Sequence, residues 1–248
     1  MLENYENKNQ NSYLTGEPLK TAFPSRLNFV RIILMLFLCT SGSVINVILN
    51  IFASQFMFLP LYMDTIFTIS ITFLAGPVWG CFTGLLTNLI GHTYNFWGFE
   101  SYLFALCNIA TALITWMFCR IFPDKLTYRH ISADYASFAS AKSRYLDEIM
   151  SKAFALTLLS FTLCFAISIL GGLITFFIEL IRSSAENNPV TNPASVPTMF
   201  YSDMPFLAKE IMSRIPINII DRLISAFLGF GIGLIISKII YFFVKSEE

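Results

Sequence analysis

The sequence predicts an all-α integral membrane protein, a bundle of six transmembrane helices with both termini cytoplasmic. Three observations predict it. Hydrophobic residues make up 55% of the 248 and charged residues 13%, where soluble domains carry about 25% charge. The apolar residues come in runs of roughly 20, the length that crosses a bilayer. Lys and Arg gather in segments that six crossings put on one face, which the positive-inside rule makes cytoplasmic.

Residues 1–27 are polar and lack the apolar core and cleavage site of a signal peptide. They read as a retained tail ahead of a single membrane domain, 28–248. The spans are expected at 28–58, 64–75, 76–93, 102–121, 152–181 and 216–243. The second and third are short and split at Gly76-Pro77, where proline cannot continue the preceding hydrogen-bond ladder and glycine permits a sharp turn. Freed backbone groups are tolerated at membrane depth only under a cover of neighbouring protein, so the spans are expected to pack as one bundle. Segment 122–151, with "DYASFASAKSRYLDEIM", fits an amphipathic cytoplasmic helix or a solvated connector. Segment 183–206, rich in Pro, Asn and Ser, reads as an external loop.

Orientation follows from the cations. Lys8, Lys20, Arg26 and Arg31 lie in or beside the tail, Arg120, Lys125, Arg129, Lys142, Arg144 and Lys152 around segment 122–151, and Lys238 and Lys245 near the C-terminus. No block of basic residues points to nucleic acid. All five cysteines fall in apolar spans without a CxxC pair, and two histidines offer no metal cluster. No Walker loop, HExxH or Ser-His-Asp set is present, so neither an enzyme nor a cofactor is expected.

The chemistry-bearing residues form stripes. Asn218, Asp221, Arg222, Ser225 and Gly229 follow i, i+3, i+4, i+7, i+11, one face of a helix. Ionisable side chains within a bilayer usually face the bundle interior or water and are functional candidates by default. The plainer reading has Arg222 snorkelling to headgroups beside Asp221. Ser43, Asn46, Asn50 and Ser54 align in the first span, and Asn108, Thr111, Ala112 and Thr115 in the fourth. Gly80, Gly84, Thr87 and Gly91 give the third span a small-residue face for close helix approach, flanked by Asn88 and His92. "HTYNFWGFESY" (92–102) adds Asn95, Trp97, Glu100 and the aromatics Tyr94 and Tyr102, as a ligand rim or an interfacial aromatic belt. Asn50, Asp64, Thr68, Asn88, His92, Glu100, Asn108, Glu179, Asn218 and Asp221 all map to the external third. A cup open outward over a dry floor is therefore expected, rather than a channel polar through its depth.

"LPLYMDTIFTISITFLAGPVWGCFTGLLTNLIG" (59–91) resembles the second-to-third-helix region of the membrane-embedded S components of energy-coupling factor (ECF) transporters, through Asp64, Gly76, Pro77, Gly80, Gly84 and Asn88. "IPINIIDRLISAFLGFGIG" (215–233) looks like the last helix of some members. The resemblance implies a protein that captures a vitamin or related micronutrient outside a bacterial cell. It implies delivery through a transmembrane coupling subunit and two ATPase subunits, with no ATPase activity of its own. Cys39 and Ser43, four apart, are the nearest equivalent of the small residues that meet the coupling subunit in that family. The alternative is a multi-helix membrane sensor signalling to a separate output partner.

Overall fold

The computed structural model describes residues 28–56, 61–95, 99–126, 138–186 and 205–245, and among these every regular element is helical. α1 spans Asn28–Ile51 and runs on as a π-helical turn, Phe52–Phe56. α2 is Ile66–Ala75 and α3 Pro77–Asn95. A 3-10 turn, Phe99–Phe104, leads into α4, Ala105–Ile121, followed by the single turn α5, Pro123–Leu126. α6 is Phe138–Glu186 and α7 Phe206–Lys245. Four stretches are long and apolar enough to cross a membrane: Ile32–Gln55, Tyr102–Ile121, Leu146–Ile181 and Phe206–Ile240. Large apolar side chains such as Phe37, Leu85, Leu113, Phe165 and Ile235 stand exposed along their helices, as a lipid solvent permits and water does not.

The short helix is the centre of the bundle. α2 packs against α1, α3, α4 and α7, and eight of its ten residues are buried. Its sequence, IFTISITFLA, is apolar or hydroxylated all round, the composition of a helix enclosed on every side. Two of its hydroxyls have partners inside the bundle: Thr72 donates to the Thr68 carbonyl at 2.7 Å, and Thr68 accepts from Asn46 at 3.4 Å.

α2 ends where glycine lets it. Gly76 sits at φ 89°, ψ −177°, a conformation side chains resist, and its N–H donates to the Thr72 carbonyl at 3.0 Å. Pro77 then opens α3 at the position where its missing N–H costs nothing. Ten residues rise about 15 Å, half of a hydrocarbon core of about 30 Å. The chain therefore enters α2 deep in the bundle, at residues 61–65.

α7 lies alongside α2 and parallel to it. Arg222 meets Thr65 at one end of the seam, and Phe73 and Phe230 meet edge to face at 5.2 Å toward the other. Between them Gly229 lies so close that an added Cβ would stand 2.8 Å from the Ile66 carbonyl oxygen. α6 packs on α7 and α4 and closes the bundle. The principal apolar core, with Ile69, Phe73, Phe118, Leu159, Leu163 and Phe230, fills the side toward the end of α2. The polar groups lie at its start.

Two helices are longer than the sequence reading allows. α6 begins at Phe138 rather than near 152, because nothing between them breaks a helix and Glu148 pairs with Lys152 one turn on at 2.6 Å. Its 49 residues extend about 73 Å, well beyond a bilayer. α7 begins at Phe206, and Pro216, expected to start the last span, lies inside it. Proline removes one backbone donor there, a loss that membrane helices absorb through their neighbours. Segment 183–206 is helical through Glu186 and again at Phe206; residues 187–204 lie outside the described ones.

Candidate functional site

The entry to α2 is held by side chains from other helices. Asp221 of α7 accepts the backbone N–H groups of Tyr62 and Met63 at 3.0 and 2.8 Å, both on Oδ1. Met63 has φ 48°, a left-handed conformation that a non-glycine residue adopts at a cost of about 1–3 kcal/mol when its surroundings demand it. The carboxylate supplies that demand. Asn50 of α1 donates to the Tyr62 carbonyl at 2.7 Å, so both backbone polarities of this non-helical stretch find partners.

Around this turn, besides Asn50 and Asp221, four further candidates gather. Asn108 of α4 donates to Asp64 Oδ2 at 3.2 Å. Arg222 donates through Nη1 to Thr65 Oγ1 at 2.6 Å, and its Nε stands 3.3 Å from Asp221 Oδ2 as an ion pair. Arg222 attracts Asp64 as well as Asp221, while the two carboxylates repel each other. Asp221 and Arg222 are 0% and 3% exposed, so the guanidinium is not snorkelling. Asn218, one turn before them on the same face, is buried and donates to Ser168 of α6 at 2.8 Å.

The level is incompletely paired. Among the described residues, Asp64 Oδ1, Asn218 Oδ1, Asp221 Oδ2, Arg222 Nε and the hydroxyls of Ser70 and Ser225 are buried with no hydrogen-bond partner, as is Arg214 Nε further up α7. Buried polar atoms are nearly always bonded, and one without a partner costs about 1–3 kcal/mol. Most of them are concentrated around one turn, at the entry to α2 and the stretch of α7 beside it.

The other candidates lie apart. Thr68 faces α1, where Asn46 donates to its hydroxyl at 3.4 Å and to Thr87 at 3.2 Å while accepting the Phe67 N–H at 2.9 Å. Asn46 is thereby fully used and bolts three helices together. Asn88 bonds the Gly84 carbonyl of its own helix at 3.1 Å. His92 lies 3.9 Å from the Tyr102 ring. Asn95 and Glu100 lie in helical backbone whose side chains are outside the description, and Trp97 lies outside the described residues.

The packing residues face inward. Gly80 sits against the Thr72 hydroxyl and Gly84 against Asn108, where an added Cβ would come within 3.1 Å of backbone atoms. Cys39 and Ser43, expected to meet a coupling subunit, are fully buried. Ser43 donates to the Cys39 and Thr83 carbonyls at 2.7 and 3.0 Å, and the Cys39 thiol to the Trp79 carbonyl at 3.7 Å. They join α1 to α3 rather than forming an outer surface.

No family model, curated protein or solved structure matches this chain.

Two further features bear on the site. Among the described residues no three His, Cys, Asp or Glu side chains gather as metal ligands. A cavity of about 350 Å³, lined by Phe122, Lys125, Met150, Ser151, Phe154 and Ala155, lies at the far end of α4 from Asn108 and shares no residue with the polar level.

The sequence reading missed part of the level. Thr65, Ser168, Ser70 and the amides of Tyr62 and Met63 carry no signal of their own. Asp64 and Asp221 were the available pointers, since two membrane-embedded carboxylates each require partners.

Proposed function

We propose that this chain is the substrate-binding S component of an ECF-type importer in a bacterial plasma membrane. It captures a vitamin-like micronutrient outside and hands it to a transmembrane coupling subunit driven by two ATPases. It crosses the bilayer six times with both termini cytoplasmic, the second crossing made by α2 together with the non-helical chain that leads into it and the third by α3. It hydrolyses no ATP itself. The observation that carries the reading is the set of unpartnered buried atoms, Asp64 Oδ1 and Asn218 Oδ1 foremost, around the non-helical entry to α2. Irregular backbone at membrane depth is characteristic of transporter binding sites, where broken helices leave polar groups for cargo. Arg222 holds Thr65 and Asp221 holds the turn, so cargo that engages these groups acts on the seam between α2 and α7.

The test is native mass spectrometry of full-length protein gently extracted from its own membrane. A single stoichiometric small molecule on wild type, lost in Asp221→Ala, together with co-purifying coupling and ATPase subunits, is the expected result. Protein bare of any small molecule after growth in rich medium would overturn capture.

One observation favours the alternative, a membrane sensor. α6 continues without a break from Ser168, beside Asn218, down to Phe138, and a rigid helix of that length suits signalling to a separate output partner. Co-purification of a kinase or cyclase in place of ATPases would select that reading.

A further inference from the structure

The polar level carries two surpluses of the same sign. The first is charge. Asp64 and Asp221 share one guanidinium, and Arg222 is the one described cation that acts on Asp64. That guanidinium is already engaged, by Asp221 Oδ2 at 3.3 Å and by Thr65 at 2.6 Å. Asp221 has two backbone N–H groups besides and is compensated. Asp64 receives, besides its own backbone, the neutral amide of Asn108 at 3.2 Å. An uncompensated carboxylate in a low-dielectric interior costs several kcal/mol.

The second surplus is in hydrogen bonding and is counted with Asp64 ionised. Of the unpartnered buried atoms, Asp221 Oδ2 and Arg222 Nε face each other, and the hydroxyls of Ser70 and Ser225 carry their own protons. The two that remain at this level, Asp64 Oδ1 of the ionised acid and the amide oxygen Asn218 Oδ1, are acceptors only, while the seventh such atom, Arg214 Nε, lies elsewhere on α7. The level is short of donors as well as of positive charge.

We infer that this level is a cation site, taking a group with one positive charge at Asp64 Oδ1. Asn218 Oδ1, on the same face of α7 as Asp221, is a further acceptor. An anion would have to draw Arg222 away from Asp221 and Thr65 and sit beside Asp64. A divalent metal would lack a third ligand of the usual kinds. An ammonium-type organic cation and an alkali-metal ion share the required chemistry. Calling the organic cation cargo rests on the capture reading; the surplus of charge and acceptors does not.

The experiment measures melting of the full-length protein in nanodiscs with three probes of equal size: benzylammonium chloride, benzyl alcohol and potassium benzoate. Potassium chloride holds the ionic strength constant, and sodium chloride replaces it in a separate arm. Stabilisation by benzylammonium, weakened more than about tenfold in midpoint concentration by Asp64→Asn, is the expected result. Stabilisation by sodium alone, abolished by the same variant, also supports the cation site and makes its occupant inorganic. Stabilisation by benzoate, or no response to either cation, overturns the inference, as does a cation response that Asp64→Asn leaves unchanged. Because the comparison of probes uses wild type, it stands if the variant fails to fold. A cation response in protein that mass spectrometry finds bare would sink capture and leave the cation site standing. A neutral or anionic retained molecule would do the reverse.

Discussion

Two clusters of buried charge share α7 and differ in how they are balanced. The upper one lies between α6 and α7 and contains Glu179, Lys209, Glu210 and Arg214, two acids with two bases. Glu210 is drawn by both Arg214 and Lys209. Arg214 donates to Thr175 at 2.7 Å, stands 4.0 Å from Glu210 and caps the Phe104 ring at 5.6 Å. The lower one, around α2, holds two carboxylates with one guanidinium and leaves acceptors over. A neutral cluster fastens two helices. A cluster that stays short of positive charge gives up stability and keeps a place for a ligand, the trade commonly seen between stability and function. The difference separates fastening from binding where burial alone does not, since both are largely buried.

The comparison is tested most strongly at the two arginines. Arg222→Met leaves the buried Asp221 and the partly buried Asp64 without the cation that attracts both, and a loss of about 3–5 kcal/mol is expected, seen as little folded protein on size exclusion. Arg214→Met, at a partly exposed side chain, costs on the order of 1 kcal/mol. Equal losses would erase the distinction.

Next in size is the seam that carries the lower cluster. Gly229→Ala pushes a methyl against the Ile66 carbonyl, which backbone cannot easily yield, and about 1–3 kcal/mol is expected from chemical denaturation. Two residues on, Gly231 has nothing within 4 Å of an added Cβ. Gly231→Ala is therefore neutral, or stabilising by up to about 1 kcal/mol through helix propensity. A smaller effect follows from Glu210→Gln, which unbalances the upper cluster at the cost of about 1–2 kcal/mol.

How far the sequence reveals this arrangement depends on what each residue advertises. The stripe Asn218, Asp221, Arg222, Ser225 declares a buried polar face, because lipid tolerates none of it, and the spacing fixes the side. Gly76-Pro77 declares a break for equally local reasons. The length of α6 was hidden because its first turns are charged and read as a connector, although nothing in them stops a helix. Pro216 misled in the opposite sense, as a start signal that the neighbouring helices override. The upper cluster is hidden because Lys209, Glu210 and Arg214 lie ahead of the span expected to start at 216, while Glu179 lies near the end of another helix. Only packing shows that they meet. Which of two similar amides is satisfied, Asn46, or left short, Asn218, is settled by partners on other helices, and no periodicity reports that.

The central claim is that Asp64 is held for a ligand and not for the fold. The most direct test is the melting of ligand-free Asp64→Asn beside wild type and Glu210→Gln in the same nanodiscs. The substitution keeps the shape of the side chain and removes the surplus charge, so Asp64→Asn is expected to melt at or above wild type while Glu210→Gln melts below it. If Asp64→Asn fell as far as Glu210→Gln, the carboxylate would be a structural partner like the others, and the site around α2 would lose its claim to a ligand.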